Sequence, residues 1–235
     1  MSVAVGIALA IGVPVVSLGV VVLVVVLIAR GRAAGAPRVA DLPSPGVIGW
    51  AEIPPDPALL GRCSGVPLDP GKSGRSITAF AGVRQALQAQ YQGRRVIAYL
   101  YGVRKITVGS RIDRATAVVS VDLPFGVPLL LIAPVPGSLS DWDRLAAQGF
   151  DRVFTISTQN TEFSSAVLSP ATRQWLLADP RARLFPVQFE GQALTTWAAE
   201  DQVPFAPSLR PELINPMAGF LAELANHIPY PRQVR

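Results

Sequence analysis

Residues 115–123 read Ala-Thr-Ala-Val-Val-Ser-Val-Asp-Leu, and this stretch decides the fold class. Apolar side chains alternate there with largely polar ones: Ala117, Val119, Val121 and Leu123 against Thr116, Val118, Ser120 and Asp122. Alternation with a period of two places the two sets on opposite faces of a β-strand. We therefore predict a strand with one buried face and one largely polar face.

Further short runs of β-branched and aromatic residues lie on both sides of this stretch, bounded by Gly and Pro, and each predicts a strand. They are residues 96–103, 129–133, 153–157, 184–189 and 193–198. The last two are separated by Glu190-Gly191-Gln192, which predicts a hairpin with Gly at the position that needs unusual dihedral angles.

Two helices follow from capping and periodicity. Ser169-Pro170 places a capping hydroxyl before Pro at the first helical position and predicts a helix through Leu177. Apolar residues at three- and four-residue spacing predict a C-terminal amphipathic helix: Leu213, Met217, Phe220, Leu221, Leu224 and Ile228. Strands and helices in this mixed order, without βαβ alternation, indicate an α+β domain with a largely antiparallel sheet.

The amino terminus carries a long apolar segment. Val3 to Ile28 contains no charged side chain and a single polar one, Ser17. This exceeds the ~20 residues needed to cross a bilayer, so we predict one transmembrane helix over residues 1–29. A cleaved signal peptide would carry a basic start and an apolar core of about 7–15 residues. The start is not basic and the run is too long.

Orientation follows from the basic residues beside the predicted helix. Arg30, Arg32 and Arg38 all come after it, and Lys and Arg near a membrane end stay on the cytoplasmic side. We expect a single-pass protein of the cell membrane with its amino terminus outside and its domain in the cytoplasm. The single Cys is consistent with a cytoplasmic domain, because disulfides are rare in a reducing compartment.

Within the apolar segment, Ala4, Ala8 and Gly12 recur at four-residue spacing, ahead of Pro14. Such a stripe lets another helix approach closely, so it is a possible helix-packing surface. Small residues are also common in membrane helices for no such reason, and both interpretations stay open. The Gly-, Pro- and Ala-rich residues 30–46 predict a linker, which leaves residues 47–235 as the globular α+β domain.

Several kinds of chemistry lack their usual residues. Lys72 follows Gly71, but the spacing to Gly65 is one residue longer than a phosphate loop allows, and Pro67 and Pro70 remove backbone donors. The single His227 and the single Cys63 make neither an ordinary zinc site nor an evident nucleophile and base. We predict no cofactor, no catalytic residue and no metal.

One basic and aromatic stretch is a possible surface-binding strand: Arg94, Arg95, Tyr99, Tyr101, Arg104 and Lys105. The net charge of +5 is otherwise spread along the chain, which argues against a nucleic-acid tail. Attraction to anionic lipid headgroups explains the charge more simply, so we expect contact with the lipid bilayer and no nucleic acid.

The order of segments also resembles a group of uncharacterised single-pass membrane proteins of actinobacteria. The resemblance covers nearly the whole chain and rests on an amino-terminal membrane helix followed by short motifs, among them Trp50-Ala-Glu-Ile, Gly71-Lys-Ser-Gly-Arg, Gly93-Arg-Arg-Val-Ile-Ala-Tyr-Leu-Tyr, Val121-Asp-Leu-Pro and Val167-Leu-Ser-Pro. It implies the architecture of a membrane helix plus an α+β domain and implies no catalytic residue.

Three functions remain open on the sequence. The first is a non-enzymatic, membrane-anchored accessory protein that binds a membrane-protein partner, as a subunit of a larger complex. The second is a domain that senses a small ligand or a lipid headgroup through the Arg and Tyr strand. The third is a hydrolase whose site has no familiar pattern.

Overall fold

The structure is a computed structural model that describes residues 41–44, 48–64, 77–107, 110–135, 138–199 and 209–228. Side chains at residues 77–80, 105–107, 110–114, 140 and 199 lie outside this description. Pro37–Ser138 and Trp142–Arg235 form one compact unit. Leu139–Asp141 fall outside that unit and are described only as part of the 3-10 turn Ser138–Asp141.

The described residues contain six strands and four α-helices, with short 3-10 turns between them. The strands are β1 (Ala51–Ile53), β2 (Ile77–Tyr91), β3 (Arg94–Thr107), β4 (Ser110–Pro134), β5 (Phe154–Thr158) and β6 (Val187–Ala199). The helices are α1 (Trp142–Ala146), α2 (Thr161–Val167), α3 (Pro170–Ala178) and α4 (Pro211–Asn226). The further 3-10 turns are Pro57–Arg62, Phe150–Arg152 and Pro180–Arg183.

All six strands form one antiparallel sheet organised around β4. The path runs β1-β2-β3-β4-β5, and β6 also pairs with β4. The first half of β4 lies between β3 and β6, and its second half lies between β5 and β6. The prediction of a mixed α+β domain with a largely antiparallel sheet and a C-terminal helix is confirmed.

Strands β2 and β3 form a hairpin that the sequence did not predict. Tyr91 pairs with Arg94, and the two residues between them, Gln92 and Gly93, have φ angles of 50° and 74°. Positive φ at both central residues is the geometry of a tight hairpin turn that matches the twist of its strands. The Pro-rich stretch that follows Trp50 contains β1 and the 3-10 turn Pro57–Arg62.

The predicted hairpin at Glu190-Gly191-Gln192 is wrong, because residues 187–199 form a single strand along β4. Gly191 does have a positive φ of 57°, but it lies within the strand. The register shifts opposite it, between Asp122 and Val127 and between Val127 and Leu130. Pro124 and Pro128 lie in those intervals, where a residue without an N–H is tolerated because the ladder is already interrupted.

Each face of the sheet has its own cover. The helix face contains Val96, Ala98 and Leu100 of β3 and is covered by α4. Just before the helix, Leu209 N donates to Gln85 Oε1 of β2, and at its end Asn226 accepts from Arg94 of β3. The strap face is covered by residues 57–64, which we call the strap. The strap contributes Leu59 and Cys63 to one buried cluster, whose other members lie beneath it: Ala86, Ile97, Tyr99, Tyr101, Val103, Val118 and Trp197.

Burial on both faces changes the interpretation of residues 115–123. Val119 and Val121 are buried on the helix face, as predicted. Ser120 on the opposite face is also fully buried, and Asp122 is partly covered. The polar side chains of this strand therefore face a second, polar cover.

The terminal helix α4 is buried on most of its circumference. Twelve of its sixteen residues are buried, including Pro216 in its interior. The amide of buried Asn215 accepts a hydrogen bond of 2.7 Å from the indole of Trp50. Helix α3 begins as predicted, with the Ser169 side chain accepting a hydrogen bond from the backbone N–H of Thr172.

The predicted transmembrane helix over residues 1–29 lies outside the described residues, as does most of the predicted linker over residues 30–46. In the portion that the structure describes, no helix has the length and hydropathy to cross a membrane. The predicted boundaries at residues 29 and 46 stay predictions.

Candidate functional site

The residues expected to form binding surfaces fall in different parts of the chain. Ala4, Ala8 and Gly12 lie outside the described residues. The basic and aromatic stretch belongs to β3, and of Lys105 only the backbone position is described.

The two tyrosines of that stretch are in the core and do not form a surface. Tyr99 is 0% exposed and Tyr101 is 4% exposed, because the odd-numbered positions 97–103 of β3 belong to the cluster beneath the strap. The prediction of Tyr99 and Tyr101 as surface-binding residues therefore needs correction. Strand β3 is internal to the sheet, between β2 and β4, and the sequence pattern alone did not reveal its second cover.

The arginines of the stretch divide between the two faces. Arg94 donates a 3.3 Å hydrogen bond to Asn226 Oδ1 of α4, and exposed Arg95 donates twice to Gln88 Oε1, at 3.0 and 2.7 Å. Arg104 is half-buried and, by alternation, shares the helix face with Gly102. Whether these arginines bind a ligand stays a prediction.

On the helix face, Gly102 leaves space for the side chain of Arg84 near Arg104. The side chain of Arg84, from a β-bulge in β2, lies over Gly102, where a Cβ atom would overlap its guanidinium. Arg104 is two residues further along β3 on the same side. Gly102 and Arg104 are neighbours on this face of β3, about 7 Å apart, so Arg84 and Arg104 both add positive charge to the same face.

Cys63 and His227 are on opposite sides of the sheet. Cys63 is buried under the strap, where desolvation and then the charge of Glu190 raise the pKa of its thiol to about 12. His227 follows α4, and its ring stacks on Trp175 with the centroids 4.8 Å apart. The thiol is protonated at neutral pH, so it is a poor nucleophile.

The strap is held by a cluster of polar residues that sequence reasoning did not single out. Arg62 forms an ion pair with Asp122 and donates a 3.0 Å hydrogen bond from Nε to Ser120 Oγ. Thr195 Oγ1 lies 3.3 Å from the carbonyl oxygen of Arg62 and 3.2 Å from Ser120 Oγ. Strands β4 and β6 thus both bind one residue of the strap.

A second set of bonds holds the end of the strap. Glu190 accepts from the backbone N–H of Ser64 at 2.8 Å, from its hydroxyl at 2.5 Å and from Gln188 Nε2 at 2.7 Å. The same amide nitrogen lies 3.1 Å from the carbonyl of Ser64, and Cys63 Sγ lies 3.5 Å from Gln188 Oε1. Burial opposes ionisation of Glu190, but the bonds from Ser64 and Gln188 outweigh it and lower the pKa of the carboxyl.

The hydroxyl of Tyr99 lies in this region and has no hydrogen-bond partner among the described residues. Desolvation raises the pKa of Tyr99, the neighbouring Cys63 adds to the shift, and the charge of Arg62 opposes it. Tyr99 and Cys63 are therefore both neutral at physiological pH. The strap cluster supplies one compensated cation and two carboxylates that accept hydrogen bonds, an arrangement suited to fixing a segment.

A separate ion cluster lies on the helix side, with Arg181 and Asp179 buried and Glu223 partly exposed. Arg181 binds Asp179 and Glu223, and its guanidinium lies 5.7 Å from the ring centroid of Phe220. Desolvation would lower the pKa of Arg181, but the bonds and charges of the two carboxylates raise it. This cluster joins the turn after α3 to α4.

No group of three or more His, Cys, Asp or Glu residues that could hold a metal ion is found in the parts of the chain that are described. The expectation that metal is unlikely stays a prediction.

The strap contacts had only a weak signal in the sequence. Asp122 is the only acid in the alternating stretch 115–123, and a carboxylate on a half-apolar strand needs a partner. That partner, Arg62, is 60 residues away, and Ser64 and Glu190 are 126 residues apart. Nothing in the spacing identifies either pair.

The sequence matches no family profile and no curated protein. Among solved structures, the crystal structure of the mycobacterial trehalose monomycolate transport factor A, TtfA, is similar to this chain. The two are 12% identical, the match covers 79% of this chain and 92% of TtfA, and the TM-score is 0.45. A likeness this distant carries no argument about function, so the resemblance to actinobacterial membrane proteins stays a prediction.

Proposed function

We propose that this protein is a non-enzymatic, membrane-anchored accessory protein whose α+β domain lies in the cytoplasm and binds a membrane-protein partner. One observation carries the proposal: Val3 to Ile28 is an uncharged apolar segment followed by Arg30, Arg32 and Arg38. A segment of this length is enough to span a bilayer, and the basic residues favour a cytoplasmic domain.

The use of the reactive side chains in the domain supports a binding role. The thiol of Cys63 is buried, bonded to Gln188 and protonated, and the ring of His227 stacks on Trp175 at the end of α4. The Cys63 thiol and the His227 ring therefore both act in stabilising the fold.

The stripe Ala4, Ala8 and Gly12 supports a partner within the membrane. Small residues at four-residue spacing allow a second helix to pack closely against the backbone. Replacing them with Leu would keep the segment apolar, and so keep insertion, while it removes that close approach.

The test is co-purification of the full chain from its own membranes in a mild detergent. We expect a stoichiometric membrane protein to accompany the wild type and the control V5L/V16L, and to be lost from A4L/A8L/G12L. Recovery of the wild-type chain alone would contradict the proposal. Equal recovery of the partner with both variants would contradict the role of the stripe.

The orientation has its own test, for which Cys63 is unsuitable because it is buried. A cysteine at Ser2 should react with a membrane-impermeant maleimide in intact cells. A cysteine at exposed Glu162 of α2 should react only after permeabilisation. The reverse pattern would place the domain outside.

A further inference from the structure

The β3–β4 hairpin contains much of the positive charge of the protein. Residues 103–114 include four cations and one acid, Arg104, Lys105, Arg111 and Arg114 with Asp113, in a chain whose net charge is +5. The register brings them together, because Arg104 pairs with Asp113, Val103 with Arg114 and Ile106 with Arg111. A net charge of +3 is thus concentrated at one end of the sheet.

Arg84 adds to this charge from the neighbouring strand. Its exposed side chain lies over Gly102, beside Arg104, so that β2 and β3 present two guanidinium groups on one face. Helix α4 begins beside Gln85, which accepts a hydrogen bond from Leu209 N. The hairpin continues past the start of this helix, and isoleucines at 106 and 112 occupy two of its register positions.

We propose that this hairpin docks on the anionic lipid surface of the membrane to which the chain is anchored. The inference rests on the membrane anchor of the proposed function and names a second contact with the same bilayer. Charge complementarity identifies anionic lipid as the surface that the hairpin contacts, because a cytoplasmic leaflet is anionic and attracts each nearby basic side chain. Isoleucines among the cations suit the boundary between headgroups and acyl chains.

The length of the tether permits this contact. Residues 30–41 connect the apolar segment to Leu42, the first described side chain that is buried in the domain, and an extended chain of that length spans at most about 42 Å. Strand β3, fourteen residues long, measures about 45 Å. The reach of the tether is therefore comparable with the length of the sheet, and the charge selects the hairpin as the end that meets the bilayer.

The test places a fluorophore on a cysteine at Thr107 of the full chain in nanodiscs that contain nitroxide-labelled lipid. Buried Cys63 reacts slowly, and the wild-type chain measures its background. We expect quenching in discs of phosphatidylcholine with phosphatidylglycerol. It should be absent in phosphatidylcholine alone and weaken steeply with salt.

Two matched variants remove the same charge from different places. R104Q/K105Q/R111Q should shift the docking equilibrium by roughly 100-fold, since each basic residue near the surface contributes about fivefold. R95Q/R144Q/R152Q, with all three changes at exposed sites away from the hairpin, should retain the quenching. An equal loss of quenching in both variants would overturn the proposal.

Other outcomes separate this inference from the proposed function. Quenching of equal strength in neutral discs, or none in anionic discs, would overturn docking on anionic lipid. Contact that appears only when an acidic membrane protein is added would assign the hairpin to a protein instead. Failure of the chain to incorporate into discs would contradict the anchor, whereas incorporation without contact contradicts this inference alone.

Discussion

The helix face and the strap face of the sheet are buried by covers of different chemistry. On the helix face, α4 packs against β3, β4 and β6, and its apolar side chains such as Phe220 and Leu221 are fully buried. On the strap face, eight residues of the chain are held by charged and polar side chains, chiefly Arg62 with Asp122 and Ser64 with Glu190. Apolar burial tolerates exchange among similar residues, whereas each bond of the strap needs its own partner.

This difference predicts that the helix face dominates global stability. Phe220 is fully buried and stacks on Trp175 with the ring centroids 5.6 Å apart. Phe220→Ala should lower the free energy of unfolding by about 3–5 kcal/mol. Urea unfolding of the full chain in nanodiscs, followed by tryptophan fluorescence, measures the loss. Glu212→Ala, at an exposed position of the same helix, should stay within about 0.5 kcal/mol, and a comparable loss there would refute the assignment.

The strap should open locally when its ion pair is removed. Arg62→Met leaves Asp122 without its cation, at a site where the two side chains are 21% and 34% exposed. We expect a cost of about 1–2 kcal/mol, reduced by solvent at this partly exposed pair. Opening exposes Cys63, so its rate of reaction with a thiol reagent should rise roughly tenfold under native conditions. Arg95→Met, which removes an exposed arginine bonded to Gln88, is the control, and an unchanged rate in Arg62→Met would contradict a strap held by Arg62.

The smallest expected effect is a dependence on pH at the end of the strap. Hydrogen bonds from Ser64 and Gln188 lower the pKa of Glu190, so its ionised form stabilises the folded state. That contribution is fully present above the ordinary pKa of 4.5 and is lost as pH falls through the lower folded pKa. Glu190→Gln should therefore cost about 1 kcal/mol at neutral pH. Urea titrations at several pH values should show the gap to wild type closing in acid, and a gap independent of pH would count against this role.

The parts of the fold that follow local rules were predictable from the sequence. The cap at Ser169 and the periodicity after Leu213 each depend on residues within a few positions, and both helices occur as expected. Strand β2 was missed because its Ala and Gln residues have little strand propensity. Its pairing with β3, beginning at the turn Gln92-Gly93, overrides that local preference.

The strap face was not predictable for a different reason. An apolar position can be recognised by its period, but a polar position acquires its meaning only from a partner that the fold brings near. Tyr99 and Tyr101 show the same limit, because a tyrosine on a strand suits an exposed binding surface and a buried cluster equally well. The cover that decides between them is contributed by residues 57–64, far from β3 in the chain.

Gly191 changes the phase of side-chain alternation within β6. On its amino-terminal side the even positions Gln188 and Glu190 contact the strap, while beyond it the odd positions Thr195 and Trp197 face the same way. Strand β6 therefore consists of two segments with opposite side-chain alternation, and they meet at Gly191, which has a positive φ. Substitutions elsewhere in β6 keep this alternation, but deletion of one residue at this junction would turn Glu190 away from Ser64. The end of the strap would then be released, while Arg62 stays bound to Asp122 and the sheet beneath stays paired.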